Sequence, residues 1–170
     1  MKNSICSSCR LPKGNLECEC CHAVQCKNCI QILKKNSFSF LKIIPQFLTF
    51  RNYCGACFDE KVLPELRLYE ETMEKAKEVL VFFKGKGEET RLIRRVEKPI
   101  KVTSCDDRDE TILRLAFYAA QANFNALVDV TITPEKVRHE GYQTTKWQGV
   151  GVPVQIDPKQ YELKPKKTWL

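Results

Sequence analysis

Cys6-Ser7-Ser8-Cys9, Cys18-Glu19-Cys20-Cys21, Cys26-Lys27-Asn28-Cys29 and Cys54-Gly55-Ala56-Cys57 are four Cys-x-x-Cys pairs in the first third of a 170-residue chain. They contain eight of its 10 cysteines. Cysteines at i and i+3 across a tight turn aim two sulfurs at one small ion, and two such turns close a tetrahedral site. Eight thiolates suffice for two closed sites, so two structural Zn2+ are the expected cofactors. A disulfide framework and a set of redox motifs are the competing readings. Against the first, Met1-Lys2-Asn3-Ser4-Ile5 carries no apolar run of the kind that routes a chain to an oxidising compartment. Against the second, four redox pairs in tandem outside a βαβ pattern would be unusual.

Only Cys105 lies beyond residue 60. Two domains are therefore expected. Residues 1–60 are too few to bury a self-sufficient core and should unfold without metal, since each structural zinc contributes roughly 10–16 kcal/mol of apparent binding energy. The rest of the chain has ordinary apolar content and can hold its own core. The formal charge of +7 overstates the basic character, because two loaded four-thiolate sites bring it to about +3. That balance gives no signature of specific nucleic-acid binding. No run approaches the ~18 apolar residues that span a bilayer. The expected location is cytoplasmic, with peripheral membrane attachment left open.

Residues 30–53 are strongly apolar: Ile30, Ile32, Leu33, Phe38, Phe40, Leu41, Ile43, Ile44, Phe47, Leu48 and Phe50, interrupted by Pro45. Phe38 and Phe40 alternate with Ser37 and Ser39, which predicts a short strand. The segment either covers the cysteine knuckles or the second domain, or exposes a patch over residues 38–50 to a membrane or a partner. Pro64 opens a predicted helix over 64–84, with Leu66, Tyr69, Met73, Ala76, Leu80 and Phe83 on one stripe and Gly85 and Gly87 just past its end. Residues 61–87 thus read as a linking helix. Its stripe is shorter than three heptads, so packing within the chain is favoured over a coiled-coil dimer.

Lys84, Lys86, Arg91, Arg94, Arg95, Lys98 and Lys101 face only Glu88, Glu89 and Glu97 across the next stretch, where Leu92, Ile93, Val96, Ile100 and Val102 mark strands. Solvated strand faces account for that charge, and contact with an anionic surface is the other reading. Asp107 to Asn123 predicts a second helix, with Asp107 and Glu110 at capping-box spacing and Ile112, Leu115, Ala116, Ala119 and Ala122 on one face. Ala126, Val128, Val130 and Ile132 alternate with Leu127, Asp129, Thr131 and Thr133 in a strand ended by Pro134. A last strand pair is predicted at Tyr142–Gln148 and Val150–Ile156. The Lys-rich tail 158–170 reads as loosely held.

The cysteine spacing resembles the FYVE-type zinc finger. In that family the first and third pairs hold one zinc, and the second and fourth hold the other. The resemblance implies Cys6, Cys9, Cys26 and Cys29 for one site, and Cys18, Cys21, Cys54 and Cys57 for the other. The segment Cys21-His22-Ala23-Val24-Gln25-Cys26 is similar to the family's middle part, and Arg51-Asn52-Tyr53-Cys54 through Phe58 to its closing part, with one extra residue. The family's basic phosphoinositide motif is missing: that position reads Asn15-Leu16-Glu17-Cys18-Glu19, and two carboxylates do not meet a phosphate. Its N-terminal Trp-x-x-Asp is also absent.

The RING family offers a rival register, with Cys20, His22, Cys54 and Cys57 at the second site. It would imply a ubiquitin-pathway docking surface, and it leaves Cys18 and Cys21 over. Residues from about 98 to 156 resemble, more faintly, the YbjQ-like ("heavy-metal-binding") domains. The carrying residues are Ala119-Ala120-Gln121-Ala122-Asn123-Phe124-Asn125-Ala126-Leu127-Val128 and Gly149-Val150-Gly151-Val152-Pro153-Val154. The resemblance implies a compact α/β domain, often oligomeric, without established catalytic residues.

No nucleotide loop occurs, and His139, placed in a loop, has no partner pattern for nucleophilic catalysis. Cys105, just before a helix, is either a reactive thiol or a small buried residue. The expected architecture is a small two-zinc treble-clef-type finger (1–60), a linking helix (61–87), an α/β (α+β) domain with a small sheet and one or two packing helices (88–157), and a basic tail (158–170). The expected role is a non-catalytic zinc-binding interaction or scaffold protein with a protein partner. RING-like ligase activity, membrane contact and homo-oligomerisation remain open.

Overall fold

Four cysteine pairs punctuate the first sixty residues, and the strands there are two residues long. β1 (Leu16–Glu17) pairs antiparallel with β2 (Val24–Gln25), and β3 (Gln31–Ile32) with β4 (Asn52–Tyr53). A bridge from Ser4 to Gly14 closes the first loop. Gly14 admits no side chain, since a Cβ there would lie 2.6 Å from Val24 Cγ1 and 2.8 Å from the Ser4 carbonyl. The computed structural model describes residues 4–85, 90, 93–139 and 141–157. The chain divides into two units, Met1–Glu70 and Glu71–Leu170.

In the first unit the apolar segment is mostly a cover. Leu33, Phe38, Leu48, Tyr53 and Val62 are buried together with Cys18, Cys54 and Cys57. The predicted strand at Ser37–Phe40 is absent. Ser37 N–H donates to Lys34 O, Ser39 N–H to Asn36 O and Leu41 N–H to Phe38 O, a succession of tight turns helped by Asn36 in the left-handed region (φ 65°). These turns place Phe38 edge-on to Tyr69, with ring centroids 5.4 Å apart.

The helical run starts earlier than Pro64 and ends sooner than residue 84. α1 (Gly55–Cys57) passes into one π-helical turn (Phe58–Val62) and then α2 (Leu63–Glu78). Leu63 N–H reaches back to Phe58 O. Pro64 has no N–H to continue the four-residue ladder, and the wider turn just before it accommodates that loss. Leu80 and Phe83, assigned from sequence to the helix stripe, lie instead in β5 (Leu80–Phe83). The linking helix of 61–87 is corrected accordingly: Leu-Val-Phe-Phe is a β-favouring run with a parallel partner available at Ala126–Val130. Gly87 and the tail 158–170 lie outside the described residues.

The second unit is a mixed four-stranded sheet, in the order β5-β7-β8-β6, with one helix packed on it. β6 is Ile100–Cys105, α3 Arg108–Gln121, β7 Ala126–His139 and β8 Tyr142–Val154. This agrees with an α+β domain. Of the strands predicted around Leu92–Val102, the described residues form only β6. Val96 is 80% exposed and outside any strand. α3 begins as its capping pattern predicts: Asp107 Oδ1 accepts Glu110 N–H at 2.7 Å, and Glu110 Oε2 accepts Asp106 N–H at 2.6 Å. Ile112, Leu115, Ala116 and Ala119 are buried, whereas Ala122 caps the helix and is exposed.

β7 runs through Pro134 rather than stopping there. Beyond Val130 its only neighbour among the described residues is β8, so a residue without an N–H is tolerated. The predicted pair 142–148 and 150–156 is one continuous strand, because Gly149 is a packing position and not a turn. A Cβ on it would meet Thr111 Cγ2 at 2.7 Å and Leu115 Cδ1 at 2.9 Å. Two side chains tie flanking segments to the sheet. Asn125 donates to Ile156 O (2.8 Å) and accepts Ile156 N–H (2.9 Å). Arg95 donates to both carboxylate oxygens of Asp129, at 2.7 and 3.2 Å, and to the Thr90 and Ile93 carbonyls. Asp129 occupies a bulge in β7 with φ 54°.

Candidate metal centre

Each of the first two cysteine pairs sits in a knuckle of the same shape. Arg10 N–H donates to Cys6 O at 2.9 Å, and His22 N–H donates to Cys18 O at 2.8 Å. Both Arg10 and His22, one residue past their pair, have φ 61°. The third pair is a tight turn, with Cys29 and Ile30 N–H groups both 3.0 Å from Cys26 O. The fourth is a helix start: Cys54 is the N-cap of α1, and its Sγ accepts Cys57 N–H at 3.5 Å. Knuckle and turn meet in the first group, knuckle and helix start in the second.

The result is two groups of four sulfurs, Cys6/Cys9/Cys26/Cys29 and Cys18/Cys21/Cys54/Cys57, with the Sγ atoms of each group all within 4.8 Å of one another. Sulfurs 2.3 Å from a tetrahedral ion lie ~3.8 Å apart. Cys9 and Cys26 Sγ are 3.8 Å apart and Cys21 and Cys54 Sγ 3.6 Å, so an ion fits between them. Such distances are far above the ~2.05 Å of a disulfide, and the ten cysteines are free. The groups interleave along the chain, first pair with third and second with fourth. Cys6, Cys18, Cys26, Cys54 and Cys57 are buried, while Cys9 and Cys21 reach the surface.

Backbone amides prepare the sulfurs for anionic character. The Cys6 thiol is lowered to about 6 by the Cys9 N–H, with burial opposing and the Cys26 and Ser8 N–H groups helping. At Cys18, burial is outweighed by the amides of Cys54, Cys21 and Cys20, and the thiol falls to about 7. Cys29 is pushed up to about 12, first by the Cys26 and Cys9 sulfurs. Burial, then the neighbouring sulfurs, pushes Cys57 up. Each group therefore combines ionised and protonated thiols in the absence of a metal, and a divalent cation is what allows four sulfurs to share so small a space. Two metal ions can be held, one by each group.

Cys20 and His22 belong to neither group. Cys20 Sγ accepts from Lys61 Nζ at 3.2 Å. The His22 ring is 77% exposed, with Nδ1 2.7 Å from Glu17 Oε1. Glu19 Oε1 and Oε2 accept the Asn52 and Arg51 N–H groups at 3.1 and 3.3 Å. The Glu17 and Glu19 carboxylates are thus engaged within the fold. Tyr53, fully buried, donates to Phe47 O at 2.6 Å, and burial followed by the Glu19 charge pushes its phenol up to about 12.

Cys105 is a buried thiol, raised chiefly by burial, and its place before α3 does not activate it. His139 ends β7 rather than lying in a loop. The knuckles read from the sequence over residues 6–29 are present; the left-handed residue that closes the first two, Arg10 and His22, was not foreseen. No helix among the described residues is long and apolar enough to cross a membrane. Comparison with protein-family models, curated proteins and solved structures gave no match.

Proposed function

We propose that this chain is a non-catalytic zinc-binding interaction protein, in which a FYVE-like, treble-clef-type two-zinc platform is joined to an α+β domain of YbjQ-like type. The observation that carries the reading is the convergence of eight sulfurs into two closed groups. Four thiolates saturate a tetrahedral ion and leave no position for an activated water, so the metal serves structure and not hydrolysis. A tetrahedral four-sulfur donor set suits zinc, with iron as the chemical competitor. A knuckle facing a helix start across one ion supports the treble-clef assignment. The exposed position of His22, outside both groups, favours this register over the RING-like one. A rigid platform without a catalytic constellation is suited to holding a protein partner.

The test is metal analysis by native mass spectrometry under reducing conditions, followed by Co2+ substitution. Two zinc ions per chain, and a four-thiolate cobalt spectrum unchanged by added azide, are expected. A spectrum that shifts with azide would reveal an open coordination position and overturn the non-catalytic reading. Bound iron, or sulfurs bridged to one another, would overturn the zinc platform itself.

A further inference from the structure

The fold sorts the apolar segment into two parts. Phe38 (2% exposed), Phe40 (8%) and Leu48 (4%) turn inward. Ile43 is 84% exposed and Ile44 39%, and they form the apex of the loop between those buried anchors, with Lys42 before them and Pro45 after. A neighbouring pair of exposed isoleucines on a loop held at both ends by core residues is not explained by packing. Along the sequence the charge is one-sided: from Cys20 to Phe58 the chain has no Asp or Glu, whereas Lys27, Lys34, Lys35, Lys42 and Arg51 all fall in that span, and the Glu19 carboxylate reaches it only at the Arg51 and Asn52 N–H groups, away from the apex in sequence. Lys34 and Lys35 are exposed.

We propose that the Ile43–Ile44 apex inserts into an anionic lipid bilayer. Aliphatic side chains at the tip enter the acyl boundary while lysines stay at the headgroups, so hydrophobic and Coulombic attraction act together. One such signal alone gives only marginal, reversible attachment, and the loop supplies both. Recognition is by bilayer charge and by the apolar tip. It uses no headgroup pocket, which agrees with Glu17 and Glu19 occupying the position of a basic motif. The inference goes beyond the zinc-platform reading and stands or falls apart from it.

The experiment uses the zinc-loaded full chain and two kinds of vesicle, phosphatidylcholine alone and phosphatidylcholine with phosphatidylserine. Co-sedimentation with the anionic vesicles is expected, weakened by salt. Ile43→Ser/Ile44→Ser should reduce it at least about tenfold, and Lys34→Gln/Lys35→Gln by a comparable factor, at about fivefold per lysine. Zinc content is read for each variant, so a failure of the metal platform is seen separately. As a gain of signal that needs no loss of binding, Ile43→Trp should show blue-shifted emission on anionic vesicles. Absence of sedimentation, a double-isoleucine variant that binds as well as the parent, or tryptophan emission that stays solvent-like would each overturn the proposal. So would light scattering showing that the isoleucine substitutions turn a dimer into a monomer, which would assign the apex to a second copy of the chain.

Discussion

Glu19 and Asn52 are joined by two hydrogen bonds across 33 residues of sequence: the Glu19 carboxylate accepts the Asn52 N–H at 3.1 Å, and Asn52 O accepts the Glu19 N–H at 3.0 Å. The pair ties the second knuckle to β4, which leads directly into Cys54. Glu19→Ala should destabilise the zinc-loaded protein by about 1 kcal/mol, a modest figure because the carboxylate is exposed and water replaces it. Chemical denaturation of the loaded protein measures this. Glu17→Arg/Glu19→Arg should lose stability without gaining phosphoinositide affinity, since the exchange removes the knuckle's own ties. Headgroup-specific binding by that variant would contradict the role given to these carboxylates.

The knuckle geometry makes a discriminating prediction about the second group. Cys18→Ser or Cys54→Ser should lower the zinc count from two to one. Cys20→Ser and His22→Ala should retain two, because Cys20 is paired with Lys61 and His22 with Glu17 at the surface. Native mass spectrometry of the four variants reads the answer directly. Loss of a zinc in His22→Ala would restore the RING-like register.

The sequence makes the metal centre far more legible than the sheet. Cysteines at i and i+3 are a local signal, fixed by the turn that brings two sulfurs to one ion, and Asp107 with Glu110 is equally local. What escaped detection depends on a distant partner. Leu80 and Phe83 satisfy a helical period and a strand alike, and only the presence of Ala126–Val130 alongside decides for the strand. Pro134 reads as a stop until β7 is seen to have one neighbour there. Ser37 and Ser39 alternate with phenylalanines as a strand would, but no strand pairs with them, and turns win.

Proton release should report the uneven thiols of the first group. Cys6 is held at about 6 against an ordinary 9.0, so it contributes stability that is fully present above 9.0 and is lost as pH falls through about 6. Cys29, raised to about 12, has the opposite sign: its contribution in the metal-free fold is present below 9.0 and lost as pH rises through 12. A metal requires both sulfurs deprotonated. At pH 7 it displaces a proton from Cys29 and almost none from Cys6. In a Cys54→Ser variant, used to isolate this group, zinc binding at pH 7 should release fewer than four protons by indicator dye, and the affinity for zinc should fall more steeply with acid below about 6, where Cys6 too must lose a proton. Release of four protons would show either that the metal-free group is unfolded or that the backbone amides do not hold Cys6 as a thiolate, and circular dichroism of the metal-free variant tells the two apart.

At Gly149 the side chains of helix α3 lie directly against the sheet backbone, and the cost of filling the position can be apportioned. A methyl there would stand 2.7 Å from Thr111 Cγ2 and 2.9 Å from Leu115 Cδ1, and both residues are fully buried. Overpacking of this kind costs about 1–3 kcal/mol, so Gly149→Ala should lower the thermal midpoint of the second unit's transition. Leu115→Ala alone should cost about 2–5 kcal/mol by leaving a cavity. Because the new methyl and the removed isobutyl group compete for one space, the double variant should be more stable than the sum of the two losses allows, by about 1 kcal/mol or more. Denaturation of the four proteins in the cycle measures that coupling. Strict additivity would mean that α3 moves away as a body when residue 149 carries a side chain, and that the close approach contributes nothing specific to the sheet's packing.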